Sequence, residues 1–125
     1  MDTKKKSILF VLCCSLFYST IVPQKEMEEL FLWKSDSCGC QRLRTKEMSE
    51  YIIDSLKIEN ISESDFIKYF GNPNKKIERK DNIFLEYYFY AVCDTNNKLI
   101  DSIDYCVASY RFYNNRLIDR EYICM

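Results

Sequence analysis

Two stretches near the end of the chain, each dense in aromatic and branched side chains, leave few folds open. "NIFLEYYFYAVC" (Asn82 to Cys93) and "IDYCVASYRFY" (Ile103 to Tyr113) both favour extended backbone. The second runs straight into Asn114–Asn115 and then "RLIDREYIC" (Arg116 to Cys124). Asparagine tolerates positive φ, so Asn-Asn between two such runs predicts a tight hairpin. "DTNNK" (Asp94 to Lys98) supplies the loop after the first run. The result is a three-stranded antiparallel meander. On the first strand, alternation puts Leu85, Tyr87, Phe89 and Ala91 on one face and Glu86, Tyr88 and Tyr90 on the other. The hairpin register is open by one residue. A two-residue turn pairs Tyr113 with Arg116 and Phe112 with Leu117, leaving Cys106 opposite Ile123. A three-residue turn pairs Tyr113 with Leu117 and Tyr110 with Arg120, and sets Cys106 opposite Cys124. The slip turns every side chain to the other face.

Helical periodicity precedes the strands. "TKEMSEYIIDSLK" (Thr45 to Lys57) carries Met48, Ile52 and Leu56 four apart with Tyr51 alongside, and Thr45 is placed to cap it. In "ISESDFIKYFGNPNKK" (Ile61 to Lys76), Ser62 and Asp65 have capping-box spacing, and Phe66, Ile67 and Phe70 form an apolar face. Gly71 stands where a helix ends in a left-handed residue, and Pro73 bars its resumption. A charged connector leads from there to the first strand. "QKEMEELFLW" (Gln24 to Trp33) fits either a short amphipathic helix or a strand-like lead-in. These elements predict an α+β fold, with two short helices packed on one face of the meander. The other sheet face then displays tyrosines. Tyr88 and Tyr90 are its binding-surface candidates, because aromatics anchor interfaces.

The N-terminus sets the compartment. "MDTKKKSILFVLCCSLFYSTIVPQK" has a basic stub at Lys4, Lys5 and Lys6, an uncharged apolar run from Ile8 to Phe17, and a breaker at Pro23. That order predicts a secretory signal over residues 1–23, with a single α+β domain over residues 24–125. Cys13 and Cys14 lie inside the apolar run and are lipidation candidates, where acylation would supply an anchor. Removing Asp2 and the three lysines takes the formal charge from −1 to −3. No basic patch emerges, so nucleic acid is not an expected partner. Membrane contact is expected only through a lipid anchor.

Five cysteines follow the predicted signal: Cys38, Cys40, Cys93, Cys106 and Cys124. In an exported domain of about 100 residues they are disulfide candidates, and their odd number leaves one over. The sequence does not choose among the pairings. A Cys93–Cys106 bridge needs a wide loop between the first two strands. Cys38 or Cys40 would tie the helical layer to the sheet, closing a loop worth about 4 kcal/mol in the chain-entropy model. Cys38-Gly39-Cys40 can also be read as a redox dithiol. A metal site is not expected, since histidine is absent and no second close thiol pair exists.

The lack of histidine also removes the commonest general base, and two glycines cannot build a phosphate-binding loop. "DTNNKLIDSIDY" lacks the glycine and the terminal glutamate of a calcium loop. Asp101 and Asp104 are spaced to act as paired carboxylates, but a strand entrance is an ordinary place for solvated acids. No catalytic residue and no cofactor are predicted.

The order and punctuation of three pieces resemble small cell-envelope proteins of the BamE/SmpA-OmlA type and the related β-lactamase-inhibitor-like fold. The pieces are "SESDFIKYFGNP" (Ser62 to Pro73), "LEYYFY" (Leu85 to Tyr90) and "YRFYNNRLI" (Tyr110 to Ile118). Phe70 stands where the pattern has leucine, and Asn115 where it has glycine. The resemblance implies an envelope location, in the periplasm, at the outer-membrane periphery or secreted. The expectation is a non-catalytic module that binds an envelope protein or a cell-wall component. The alternatives are a thiol–disulfide exchange protein using Cys38 and Cys40, and an inhibitor of a secreted enzyme.

Overall fold

A computed structural model describes residues 24–100 and 105–124. Its order is α1 (Gln24–Ser35), α2 (Lys46–Leu56), α3 (Glu63–Phe70), then β1 (Lys75–Arg79), β2 (Asn82–Phe89), β3 (Cys106–Tyr113) and β4 (Arg116–Cys124). The strands form one antiparallel sheet in the order β1-β2-β3-β4. The α+β class stands, but the described residues form three helices and four strands where the sequence predicts two and three. The predicted signal, Cys13, Cys14, Asp101 and Asp104 lie outside the described residues.

Both additions have a physical reason. The segment predicted as a charged connector is an edge strand, paired among the described residues with β2 alone, from Lys75↔Glu86 to Arg79↔Asn82. Ile77 is its one apolar residue, so alternation is invisible, and charge is what protects an exposed sheet edge. The open alternative at Gln24–Ser35 resolves as helix. Glu26, Leu30 and Trp33 turn inward while Met27 and Phe31 remain exposed, so α1 carries apolar residues on both sides. That blurs the amphipathic signal.

The caps form as the sequence implies. Thr45 Oγ1 accepts from the Met48 amide at 3.0 Å, and Ser62 Oγ from the Asp65 amide at 3.2 Å. Gly71 ends α3 at φ 81° and ψ −177°, a region open to glycine but not the left-handed helical one the sequence suggests. On α2 the buried stripe is centred on Ser49, Ile52 and Ile53, with Met48 and Leu56 partly covered. The stripe rotates towards Ser49 because its hydroxyl bonds those of Tyr110 and Tyr122.

The core lies between the helices and one sheet face. Trp33, Ile52, Ile53, Phe66 and Phe70 meet Leu85, Tyr87, Phe89, Ala108, Tyr110, Phe112 and Leu117. Phe66 stacks on Phe70 with centroids 4.3 Å apart, and both sit against Tyr87 and Tyr110. The inward set Leu85, Tyr87, Phe89 is the one alternation predicts.

The β3–β4 hairpin joins parts of both candidate registers. Its turn has two residues, Asn114 and Asn115, at φ 49° and 59°, and pairs Tyr113 with Arg116 and Phe112 with Leu117. A bulge then leaves Ile118 unpaired, so Arg111 meets Asp119, Tyr110 meets Arg120, and Cys106 meets Cys124.

Candidate functional site

The loop from α1 to α2 is built around a buried carboxylate. Asp36, with no exposed surface, accepts from the amides of Gln41 (2.9 Å), Leu43 (3.0 Å) and Arg44 (3.3 Å). These bonds fold the "CGC" segment into a tight arch that lies on the end of β2. The Ala91 amide donates to the Gly39 carbonyl at 2.9 Å. A Cβ at Gly39 would stand 2.5 Å from the Tyr88 carbonyl oxygen and 2.9 Å from the Phe89 nitrogen, and Gly39 has φ 75°. Glycine is therefore required twice over, for conformation and for closeness.

Arg44 fills the space under the arch. It is 1% exposed and its guanidinium lies over the rings of Trp33 (5.1 Å) and Tyr87 (5.4 Å). Nε donates to the Trp33 carbonyl at 2.8 Å, and Nη1 to Asn74 Oδ1 (3.1 Å) and the Tyr88 carbonyl (3.2 Å). Asn74 completes the joint, with Oδ1 also accepting from the Tyr88 amide and Nδ2 donating to the Ser37 carbonyl. Burial pulls the guanidinium below its ordinary value, opposed first by the charge of Asp36. Asp36, Arg44 and Asn74 are not among the residues singled out from sequence. The one available signal was "DSCG", a turn-like Asp-Ser-x-Gly between two helical patterns.

The cysteines divide around this arch. Cys40 is bonded to Cys93, across 53 residues, and ties the arch to the segment following β2. Cys106 is bonded to Cys124 across neighbouring strands. Cys38 carries a free thiol and is half-buried. Cys38 and Cys40 are thus not joined to each other, and the Cys93–Cys106 pairing does not form. All five cysteines weighed from sequence are accounted for, two bonds and one thiol.

The remaining candidates separate. Tyr88 lies on the outer sheet face, half-buried, with its ring 5.1 Å from that of Tyr105. Burial, joined by the nearby Tyr105 and Glu86, raises its pKa. Tyr90 falls beyond the strand at φ 49°, exposed and tilted against Phe89, so the two tyrosines do not share a strand face. Around Tyr88 the outer face presents Phe84, Val107 and Ile123, with Arg111 and Asp119 paired at 3.7 Å. Asp94 closes its own turn, accepting from the Asn96 and Lys98 amides at 2.8 and 3.0 Å, which is a structural task.

Among the described residues no cluster of metal-ligating side chains occurs, and no helix is long and apolar enough to cross a membrane. An open depression of about 580 Å³ lies between α2 and α3, lined by Lys57, Asn60, Lys68 and Tyr69 among others. Its Lys68 is paired with Asp65 at 3.2 Å. No family model, curated protein or solved structure matches the chain.

Proposed function

We propose that the chain is an exported cell-envelope protein that acts by binding another envelope protein, without catalysis, through the outer face of its sheet. The observation that carries the binding reading is the composition of that face. Tyr88 packed on Tyr105, together with Phe84 and the 43%-exposed Ile123, is interleaved with Arg111, Asp119, Glu86 and Glu121. Aromatic anchors among charges of both signs suit a protein surface. Alternating signs give no continuous field for phosphates or an anionic membrane. Export is supported by the basic-then-apolar leader, by the resemblance to the BamE/SmpA-OmlA type, and by two disulfides, which persist in oxidising compartments.

A photo-crosslinking residue placed at Phe84 of the full chain, expressed in its own cells, tests the reading. The expected result is one dominant protein adduct from the envelope fraction that disappears when Arg111→Glu and Asp119→Lys alter the same face. An adduct formed equally well by the altered face overturns it, as does a chain found in the cytoplasm with its thiols reduced. An adduct to a cell-wall polymer or to a secreted enzyme would replace the envelope-protein partner with one of the other two readings.

A further inference from the structure

One side of α1 breaks the rule that the other helices follow. Neither α2 nor α3 exposes a large apolar side chain, whereas on α1 Phe31 is 71% exposed, Met27 52% and Leu32 37%. With Gln24 and Glu28 these three line an open depression of about 420 Å³. At about 100° per residue the five positions gather on the side opposite Glu26, Leu30 and Trp33, which turn to the core. The patch is bordered by charge of both signs. Lys25 and Lys34 stand against Glu26, Glu28 and Glu29, a formal balance of −1 across the helix. Lys25 is drawn over the Tyr51 ring, 4.5 Å from its centroid, and Glu28 accepts a hydrogen bond from the Gln24 side-chain amide at 3.2 Å.

The place of the patch in the chain bears on what covers it. α1 starts at Gln24, and six residues, Tyr18 to Pro23, separate it from the end of the apolar run at Phe17. Fully extended, that stretch spans at most about 25 Å. If the run, or an acyl chain on Cys13 or Cys14, stays in a bilayer, α1 is held at the surface of the same bilayer. The ten residues Ile8 to Phe17 are too few to span it, and one acyl chain binds only reversibly, so lasting attachment takes a second contact. A second copy of the chain fits less well. One side of this helix is a strip of about 18 Å by 10 Å, or about 180 Å², against the roughly 800 Å² per partner of a stable interface.

We propose that the Met27, Phe31 and Leu32 side of α1 is a membrane-surface contact. The helix lies in the plane of the bilayer, with these side chains at the boundary between headgroups and acyl chains. The lipid it fits is zwitterionic. The helix has no excess of cations to seek anionic headgroups, and Glu28 beside the patch suits the ammonium of a zwitterionic one. The outer sheet face then points away from the bilayer, because α1 packs on the other side of the sheet, and it stays free for a protein. The membrane location rests on the export reading above, but the affinity of α1 for lipid does not.

The full chain, purified from its own cells with both disulfides intact, is floated with phosphatidylcholine vesicles in about 0.5 M salt, where surface electrostatics are screened. It should rise with the vesicles, and Met27→Glu combined with Phe31→Glu should lower its partition by about tenfold or more. Both side chains are exposed, so the double variant keeps the fold, checked by its two disulfides and one free thiol. Partition unchanged by the double variant overturns the proposal, as does binding that needs anionic lipid and disappears in salt. In cells, a photo-crosslinking residue in place of Phe31 should form adducts with lipid, and one in place of Ile118, exposed on β4, should not. A dominant protein adduct at Phe31, whether a partner or a second copy, also overturns it. A chain found in the cytoplasm that still floats through α1 defeats the export reading and leaves the lipid contact standing.

Discussion

Gly39→Ala should be among the most damaging single-methyl additions the fold can receive. The new Cβ would stand 2.5 Å from the Tyr88 carbonyl oxygen, 2.6 Å from its carbon and 2.9 Å from the Phe89 nitrogen. All three are backbone atoms of β2, which is held to β3 at Tyr88↔Val107 and Phe89↔Cys106, so none can yield as a flexible side chain would. Relief must come from lifting the arch, which stretches the Ala91–Gly39 bond and disturbs the Arg44 contacts beneath. Overpacking of this kind costs about 1–3 kcal/mol. The positive φ adds about 1–2 kcal/mol for a residue with a Cβ. Together these come to about 2–5 kcal/mol, a large share of the stability of so small a domain. Gly71→Ala is the matched control. It also has positive φ, 81°, but its Cβ meets nothing closer than Lys34 Cγ at 3.4 Å. Its cost should be conformational strain alone, about 1–3 kcal/mol. Urea unfolding of the oxidised proteins, followed by Trp33 fluorescence, measures both. A Gly39→Ala penalty no larger than that of Gly71→Ala would refute the close-approach argument.

Replacing Cys40 and Cys93 together by serine should lower stability by about 4 kcal/mol, against about 3 kcal/mol for the Cys106/Cys124 pair, because the first bond closes the longer loop. Urea midpoints that reverse this order would show that strain, not loop length, decides. Burial pushes the hydroxyls of Tyr87, Tyr110 and Tyr122 above the ordinary tyrosine range. Their contribution is therefore complete below about pH 10, where unfolded tyrosine titrates, and is lost as pH rises through the higher folded values. Absorbance at 295 nm should show these three ionising only with unfolding, and titration of all of the tyrosines while the protein is still folded would contradict the burial. Deleting Ile118 removes the extra residue of the bulge, so Asp119 follows Leu117 directly, still opposite Arg111, and Cys124 stays opposite Cys106. The folded variant should keep both disulfides and show one reactive thiol, as the native protein does, and three reactive thiols would place the bulge elsewhere in the hairpin.

The bulge also shows where sequence reasoning stops. Asn114–Asn115 made the two-residue turn legible, because positive φ at two successive positions is a property of residue type. The Cys106–Cys124 opposition was legible only under the other register. Each reading was half of the hairpin, and what reconciles them is one exposed isoleucine that pairs with nothing. A bulge depends on how the whole sheet twists and closes its core, so no local pattern announces it. Strands with a buried face, such as Leu85–Tyr87–Phe89, declare themselves by alternation. The edge strand Lys75–Arg79 does not, since its task is to be polar.

The same division runs through the candidate site. The cysteines could be named from sequence because thiols in an exported domain have few uses, but their pairing could not. Choosing Cys40 over Cys38 depends on Gly39 lying against β2, on Asp36 collecting three amides, and on Arg44 supporting the arch from below. None of those three residues is unusual in its sequence neighbourhood. Each acquires its role from an element far along the chain: Gly39 from Tyr88 and Phe89, Arg44 from Asn74 and Tyr88. An aspartate and an arginine in a loop read as solvated charges, and that inference fails when long-range packing buries both and leaves them to be satisfied by backbone. The free thiol of Cys38 follows from this construction. The arch fixes which sulfur meets Cys93, and the sulfur left over is the half-buried Cys38 thiol.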